Sequence, residues 1–334
     1  MFTDRTNRAR NTLRAAVRAV AVRTVSSIAV AALAYFAAVP AAAGAQALGV
    51  AQSPGVAEAM VVARRSTGLI AFIADSLRGR SGQLRAKIIQ PRDLDALRVD
   101  SLTSLLGDAA FKQPSIWSLA DSLGGELFHF ITLVPFESKQ NGKVGVYRVG
   151  RWPAESGRLL NAAYRLPAGF IEVTPENQET QVSSHFRLRD FLTKDQATVW
   201  PKALVLDERL LDKLELIVAE LRLAGHKAPG LTVMSGFRTP QYNARGGRAG
   251  RASNSRHQYG DAADVFVDAN GDGRMDDLNG DGKVNLLDAQ AFLKLVERVE
   301  RKYPELTGGA GLYRATSSHG PYVHVDARGE RIRW

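Results

Sequence analysis

None of the 334 residues is cysteine, so neither a disulfide nor a thiolate-bound metal can hold this chain together. Stability must come from an apolar core, with any ions bound through imidazole or oxygen. At 45% hydrophobic residues, the chain has material for one large domain or two modest ones.

Positive charge is concentrated at the start, in Arg5, Arg8, Arg10, Arg14, Arg18 and Arg23, with Asp4 the one acid nearby. An uncharged, alanine-rich run from Val25 to Ala47 comes next, and Ala43-Gly44-Ala45 supplies small residues around a cleavage point. A basic segment, an apolar stretch and an A-x-A site together predict a secretory signal over residues 1–45. The alternative is an uncleaved anchor, since the run is long enough to span a bilayer. Its low hydrophobicity and Pro40 favour cleavage. The mature protein is then expected in the periplasm or cell envelope, a monomer with no stable membrane insertion. Losing the signal takes the formal charge from +10 to +5, which suits an anionic surface such as cell wall and demands no nucleic acid. The basic stretch ARGGRAGRASNSR, with Arg245, Arg248, Arg251 and Arg256, lacks the interleaved aromatics of a nucleic-acid site. It reads as a mobile loop at a cleft rim or as a solvated loop.

Residues 46–60 look like a flexible start. The pattern from Val56 to Gly107 is helical, which defines a helical region of unassigned role over 46–125. Residues 126–183 read as a β-hairpin, turning at Asn141-Gly142 between two apolar runs, and then a polar linker over 172–184. His129 is expected as a packed or edge histidine within the first run. From 184 onward the pattern is that of a globular domain. Leu210, Leu211, Leu214, Ile217, Val218 and Leu221 recur at helical spacing, with Asp207 placed to cap the start and Gly225 the end. Strands are expected at 231–234 and 322–328, and helices from Thr239-Pro240 and over Leu287–Lys302. Mixed helices and strands without βαβ regularity predict an α+β fold.

Two segments stand out chemically. In SRHQYGDAADVFVD, His257 and Asp264 lie seven residues apart, and a turn at Gly260 would return the chain so that they converge. In SHGPYVHVDARG, a strand over 322–326 puts Tyr322, His324 and Asp326 on one face, with Val323 and Val325 behind. His257, Asp264 and His324 then make a His₂-carboxylate set with one position left open, as catalytic zinc requires. Spacing alone fits ordinary surface residues equally well.

The succession SGFRTPQYN, SRHQYGDAADV and YVHVD resembles the zinc D-alanyl-D-alanine carboxypeptidase family, one of the LAS-type murein peptidases. The resemblance covers about residues 184–334 and includes the pattern in which Ser255 precedes His257. It implies zinc on His257, Asp264 and His324, and peptidoglycan stem peptide as substrate. It also implies that Arg238 holds a substrate carboxylate or polarises the attacked carbonyl. Many relatives carry a general-base glutamate three residues before the last ligand, where this chain has Pro321. Others use a histidine five residues before it, and His319 stands there. Its imidazole can move a proton near neutral pH. Ser255 and Asp326 are placed to support the ligands. Without the glutamate, a wall-binding module of the same fold with little catalysis is the alternative.

DANGDGRMDDLNGDGKVNLLD begins four residues after Asp264. Asp277, Asn279, Asp281, the Lys283 carbonyl, Asn285 and Asp288 match a calcium-loop spacing, with a glycine at the sharp turn. The terminal Asp resembles dockerin loops. An overlapping copy uses Asp268, Asn270, Asp272 and Asp276, an overlap similar to thrombospondin type 3 repeats. A structural calcium role is the expectation, in an insert spanning 268–288.

Overall fold

The computed structural model describes residues 59–62, 77–90, 113–120, 127–246 and 252–334. The expected signal, most of the expected helical region, and Arg248 and Arg251 lie outside them. Among the described residues no helix is long and apolar enough to cross a membrane.

Where a helical pattern was expected over 56–107, the described residues Ala59–Val62 (β1) and Ala86–Ile89 (β2) are strands. Short Val- and Ile-rich runs do not separate helix from strand by periodicity alone. These two strands join Ser115–Ala120 (β3) and Phe128–Thr132 (β4) in a sheet of order β1-β3-β4-β2. His129 is packed inside β4, its Nδ1 2.8 Å from the Ser118 hydroxyl, and burial pushes its pKa down to about 4.

The expected hairpin forms only in part. Asn141 and Gly142 do make a tight turn, with φ of 50° and 73°, and Gln140 and Lys143 exchange backbone hydrogen bonds of 2.9 Å across it. The long apolar runs on either side do not pair with each other, because β4 has a strand on each edge already. Beyond β4 the chain forms a series of short strands instead: Val134–Pro135 (β5), Lys143–Val144 (β6) and Tyr147–Arg148 (β7). The expected linker is likewise part of the folded body. Gly169–Val173 (β8) pairs with β5 and with Lys202–Leu204 (β9), while Val173, Val182 and Phe186 are buried. Its polar residues serve turns: the Asn177 side chain accepts from the Thr174 N–H and donates to the Glu172 carbonyl.

Helix α1 (Glu208–Leu223) starts where Asp207 accepts the Arg209 N–H and ends before Gly225, whose φ is +90°. Strand β10 (Thr232–Ser235) leads to helix α2 (Pro240–Arg245), capped by Thr239. Then come β11 (Ala262–Phe266), α3 (Leu286–Lys302), β12 (Gly309–Tyr313), β13 (Tyr322–Asp326) and β14 (Ile332–Arg333). The second main sheet has the order β10-β11-β13-β12-β14 and is antiparallel except for β12 with β14. Helix α3 packs on α1 and on β12 and β13, burying Leu214, Ile217, Phe292, Val296, Val323 and Val325. Each such side chain contributes about 1.5–3 kcal/mol. One apolar core runs from Leu84 to Val325 with no break near 184, so residues 127–183 belong to the same body as the α+β part after them.

Candidate metal centre

Strand β13 alternates as its sequence demands: Val323 and Val325 enter the core, while His324 and Asp326 face the other way. Its register with β11 sets Asp264 directly opposite His324. His257 arrives from outside the sheet, on a single 3-10 turn over Arg256–Tyr259. Gly260 closes that turn at φ +71°, and a Cβ there would sit 2.3 Å from the Val205 carbonyl oxygen. Only glycine permits the reversal, which returns the chain into β11 and brings Asp264 back to His257.

The three ligand atoms form a nearly equilateral triangle. His257 Nε2 lies 3.2 Å from Asp264 Oδ1 and 3.1 Å from His324 Nδ1, and His324 Nδ1 lies 3.0 Å from Asp264 Oδ1. All three side chains are buried. Their other polar atoms fix which nitrogens carry protons. His257 Nδ1 is 2.7 Å from the Gly236 carbonyl, so it donates and leaves Nε2 as a lone pair. His324 Nε2 is 3.2 Å from the Asp326 carboxylate, so it donates and leaves Nδ1 facing the triangle. Two imidazole lone pairs and a carboxylate oxygen thus converge with no protein donor between them. Such a set needs a cation or a proton at its centre. Ligands at ~2.0–2.1 Å from a tetrahedral zinc stand roughly 3.3 Å apart, close to these edges. Among the described residues only this group brings three His, Asp or Glu ligand atoms so close together, all within 4.8 Å of one another.

The electrostatics agree. Burial would raise Asp264, but His257 and His324 hold its carboxyl well below the usual range. Burial lowers His257. It also opposes charge on His324, yet the hydrogen bonds to Asp264 and Asp326 overcome it and raise that imidazole. Asp326 is held ionised, its burial outweighed by His324 and Arg328.

Arg238 reaches the centre too. It pairs with the second oxygen of Asp264 and donates from Nε to Ser235 Oγ at 2.8 Å, and its Nη1 makes no hydrogen bond among the described residues. Asp326 meets its expected position beside His324 and is itself gripped by Arg328. Ser255 does not: among the described residues its side chain makes no hydrogen bond, and only its carbonyl accepts, from Gln258. His319 is half-buried in the segment before β13, its ring edge-on to Tyr322 at 5.0 Å. Its Nδ1 donates to the Gly320 carbonyl at 2.8 Å. Tyr322 stacks on Tyr313, whose hydroxyl accepts from Trp334 Nε1, and the Trp334 ring lies 5.1 Å from that of His324. An aromatic row therefore flanks one side of the triangle.

Several supports carried no signal in the sequence. The Gly236 carbonyl that orients His257 is backbone. Trp152, fully buried, donates its indole N–H to the Gln258 carbonyl in the turn that carries His257. Arg256, expected on a mobile loop, is instead buried and paired with Asp261.

The two acidic loops repeat one hydrogen-bond pattern. Asp277 accepts from the N–H groups of Gly280, Asp281 and Gly282, as Asp268 does from Gly271, Asp272 and Gly273. Asn279 and Asn270 accept from Asp281 and Asp272, which in turn accept from Lys283 and Arg274. Asp288 closes the second loop by accepting from Leu278, Asn279 and Asn285, while Asp276 closes the first by accepting from Ala269. Asn285 caps α3.

Comparison of the chain with family models, with curated proteins and with solved structures finds no match.

Proposed function

We propose that this protein is a zinc-dependent peptidase that hydrolyses peptide bonds in peptidoglycan stem peptides, as a carboxypeptidase or an endopeptidase. The observation that carries this reading is the convergence of His257 Nε2, Asp264 Oδ1 and His324 Nδ1 in one buried triangle, with the far nitrogen of each imidazole hydrogen-bonded from behind. The substrate class comes from the resemblance of the three motifs to murein peptidases. Zinc held there would act as a Lewis acid on the attacked carbonyl and make water nucleophilic at neutral pH. The chain's own residues have separate tasks. Arg238 is held by Asp264 and Ser235, and its Nη1, without a partner among the described residues, is the donor that would meet a substrate oxygen. His319 has its Nδ1–H committed to Gly320, so Nε2 is the atom that takes a proton from water and returns it to the departing amine. Mass spectrometry of a murein digest tests the reading. Shortened or uncrosslinked stem peptides should form with intact protein, and none should form with chelator or with His324→Ala. Murein binding without any cleavage would identify a wall-binding module instead.

His319→Ala should lower turnover by roughly 10²-fold or more while changing KM less. Steady-state kinetics on a stem peptide checks this, and near-normal turnover would give the proton transfer to another group.

Calcium in the loop from Asp277 to Asp288 belongs to the same proposal, as a structural ion outside the reaction. The donor order supports it, and the loop leads directly into the cap of α3. Free calcium at a hundred times its dissociation constant should add about 2.7 kcal/mol. Thermal melts of the zinc-loaded protein should shift upward with calcium in wild type and far less in Asp281→Ala. Coincident melts would leave the insert a plain acidic loop.

A further inference from the structure

A second concave site lies beside Arg328. It is a cavity of about 360 Å³ whose wall includes Arg165, Arg209, Arg256, Arg328, Asp207 and Asp261. Three of the four guanidinium groups already face a carboxylate: Arg209 on Asp207, Arg256 on Asp261, and Arg328 on Asp326. Arg165 is exposed and has no ion pair among the described residues, so the four arginines and their three carboxylate partners leave one positive charge in excess. Donors are also left over. Arg209 and Arg328 use Nε and Nη2 on their carboxylates, and Nη1 of each makes no hydrogen bond among the described residues. Arg256 supplies rigidity. It is 4% exposed, packed against the mutually perpendicular rings of Tyr164 and Tyr259 at 4.8 and 4.6 Å from their centroids, and tied through Nη1 to the Ala163 carbonyl.

A cation entering this space would meet arginines whose carboxylate partners are already engaged. A single carboxylate would satisfy one guanidinium fork and leave the others idle. An oxyanion with several oxygens can accept from Arg165, Arg209 and Arg328 together, through the planar charged donors best matched to phosphate. We propose that this cavity binds a phosphate group, either as the free ion or carried on a larger molecule. Arg328 links the site to the metal centre, since it holds Asp326 and Asp326 holds His324. The proposal does not depend on the peptidase reading, and its test uses metal-free protein so that phosphate has no metal to ligate.

The experiment is calorimetric titration of the full, chelator-treated chain with inorganic phosphate, and separately with a short glycerol-phosphate oligomer, in chloride buffer. Saturable binding with a Kd on the order of 1 mM or below is expected for at least one of them. Arg165→Gln and Arg209→Gln should each weaken it about tenfold, while Arg189→Gln, an exposed arginine outside the cavity, should not. Both substitutions are at exposed side chains and threaten folding little. Tighter binding of the oligomer would identify a polymer-borne phosphodiester as the source, and tighter binding of the ion would identify free phosphate. Absence of saturable binding of either up to about 20 mM, or wild-type binding by either variant, would overturn the proposal.

Discussion

Zinc added to the metal-free protein should displace about one proton per ion bound, and His324→Ala should take up at least roughly 10²-fold less zinc. The proton count comes from the triangle. Without a cation, its two imidazole nitrogens and carboxylate oxygen need one proton among them. Hydrogen bonds to Asp264 and Asp326 raise His324, so its Nδ1 is the atom expected to take that proton, directed at Asp264. His257, lowered by burial, stays neutral. The proton and the metal compete for one place, so zinc affinity should rise with pH and level off above the raised His324 value. For the metal-free fold the signs divide. His324, raised on folding, stabilises below its ordinary value of 6.5 and loses that contribution as pH rises through the folded value. Asp264, lowered on folding, stabilises above 3.8 and loses its contribution as the pH falls through the folded value. Calorimetry in two buffers of different ionisation enthalpy gives the proton count directly. Asp326→Asn provides the graded case: the ligand remains but its orienting carboxylate is gone, and affinity should drop about 10–100-fold. Zinc uptake by His324→Ala equal to wild type would place the metal elsewhere.

The sequence carried those parts of the site that depend on local periodicity. Alternation along 322–326 set His324 and Asp326 on one face, and Gly260 marked the reversal that returns Asp264 to His257. The cap at Asp207 and the helix opening at Thr239-Pro240 were readable because helix starts are set by local chemistry. The features that sequence did not carry depend on pairing between distant segments. Nothing near β4 says that its partners are β2 and β3 rather than the run after Asn141-Gly142. The polar stretch after β8 resembled a linker because the residues that close tight, packed turns have the same composition as solvated loops. Ser255 matched a motif yet its side chain makes no hydrogen bond to the ligands, whereas the Gly236 carbonyl, invisible to any motif, fixes His257.

The stability of the centre should depend most on a residue that touches no ligand. Lys213, on α1, has no exposed side-chain surface and donates to Glu300 Oε1 and to the Asp326 carbonyl, both at 2.7 Å. Glu300 is also buried, accepting from the Gly308 N–H at 3.0 Å and pairing with Arg333. This network joins α1, α3 and the end of β13. Burial lowers the Lys213 pKa and Glu300 opposes that, so the ammonium depends on its partner to remain charged. Lys213→Ala would strand much of the Glu300 charge and remove a donor from Asp326, and a loss of about 3–5 kcal/mol in urea unfolding is expected. Lys213→Met keeps the volume and should cost less. Combining it with Glu300→Gln should recover part of the loss, because the uncompensated charge is gone and Arg333 retains Glu297. The same substitutions should weaken zinc binding, since the Asp326 backbone they release carries the carboxylate that orients His324. Additive effects of Lys213→Met and Glu300→Gln would mean that the two groups are not coupled, and the network would then contribute only packing.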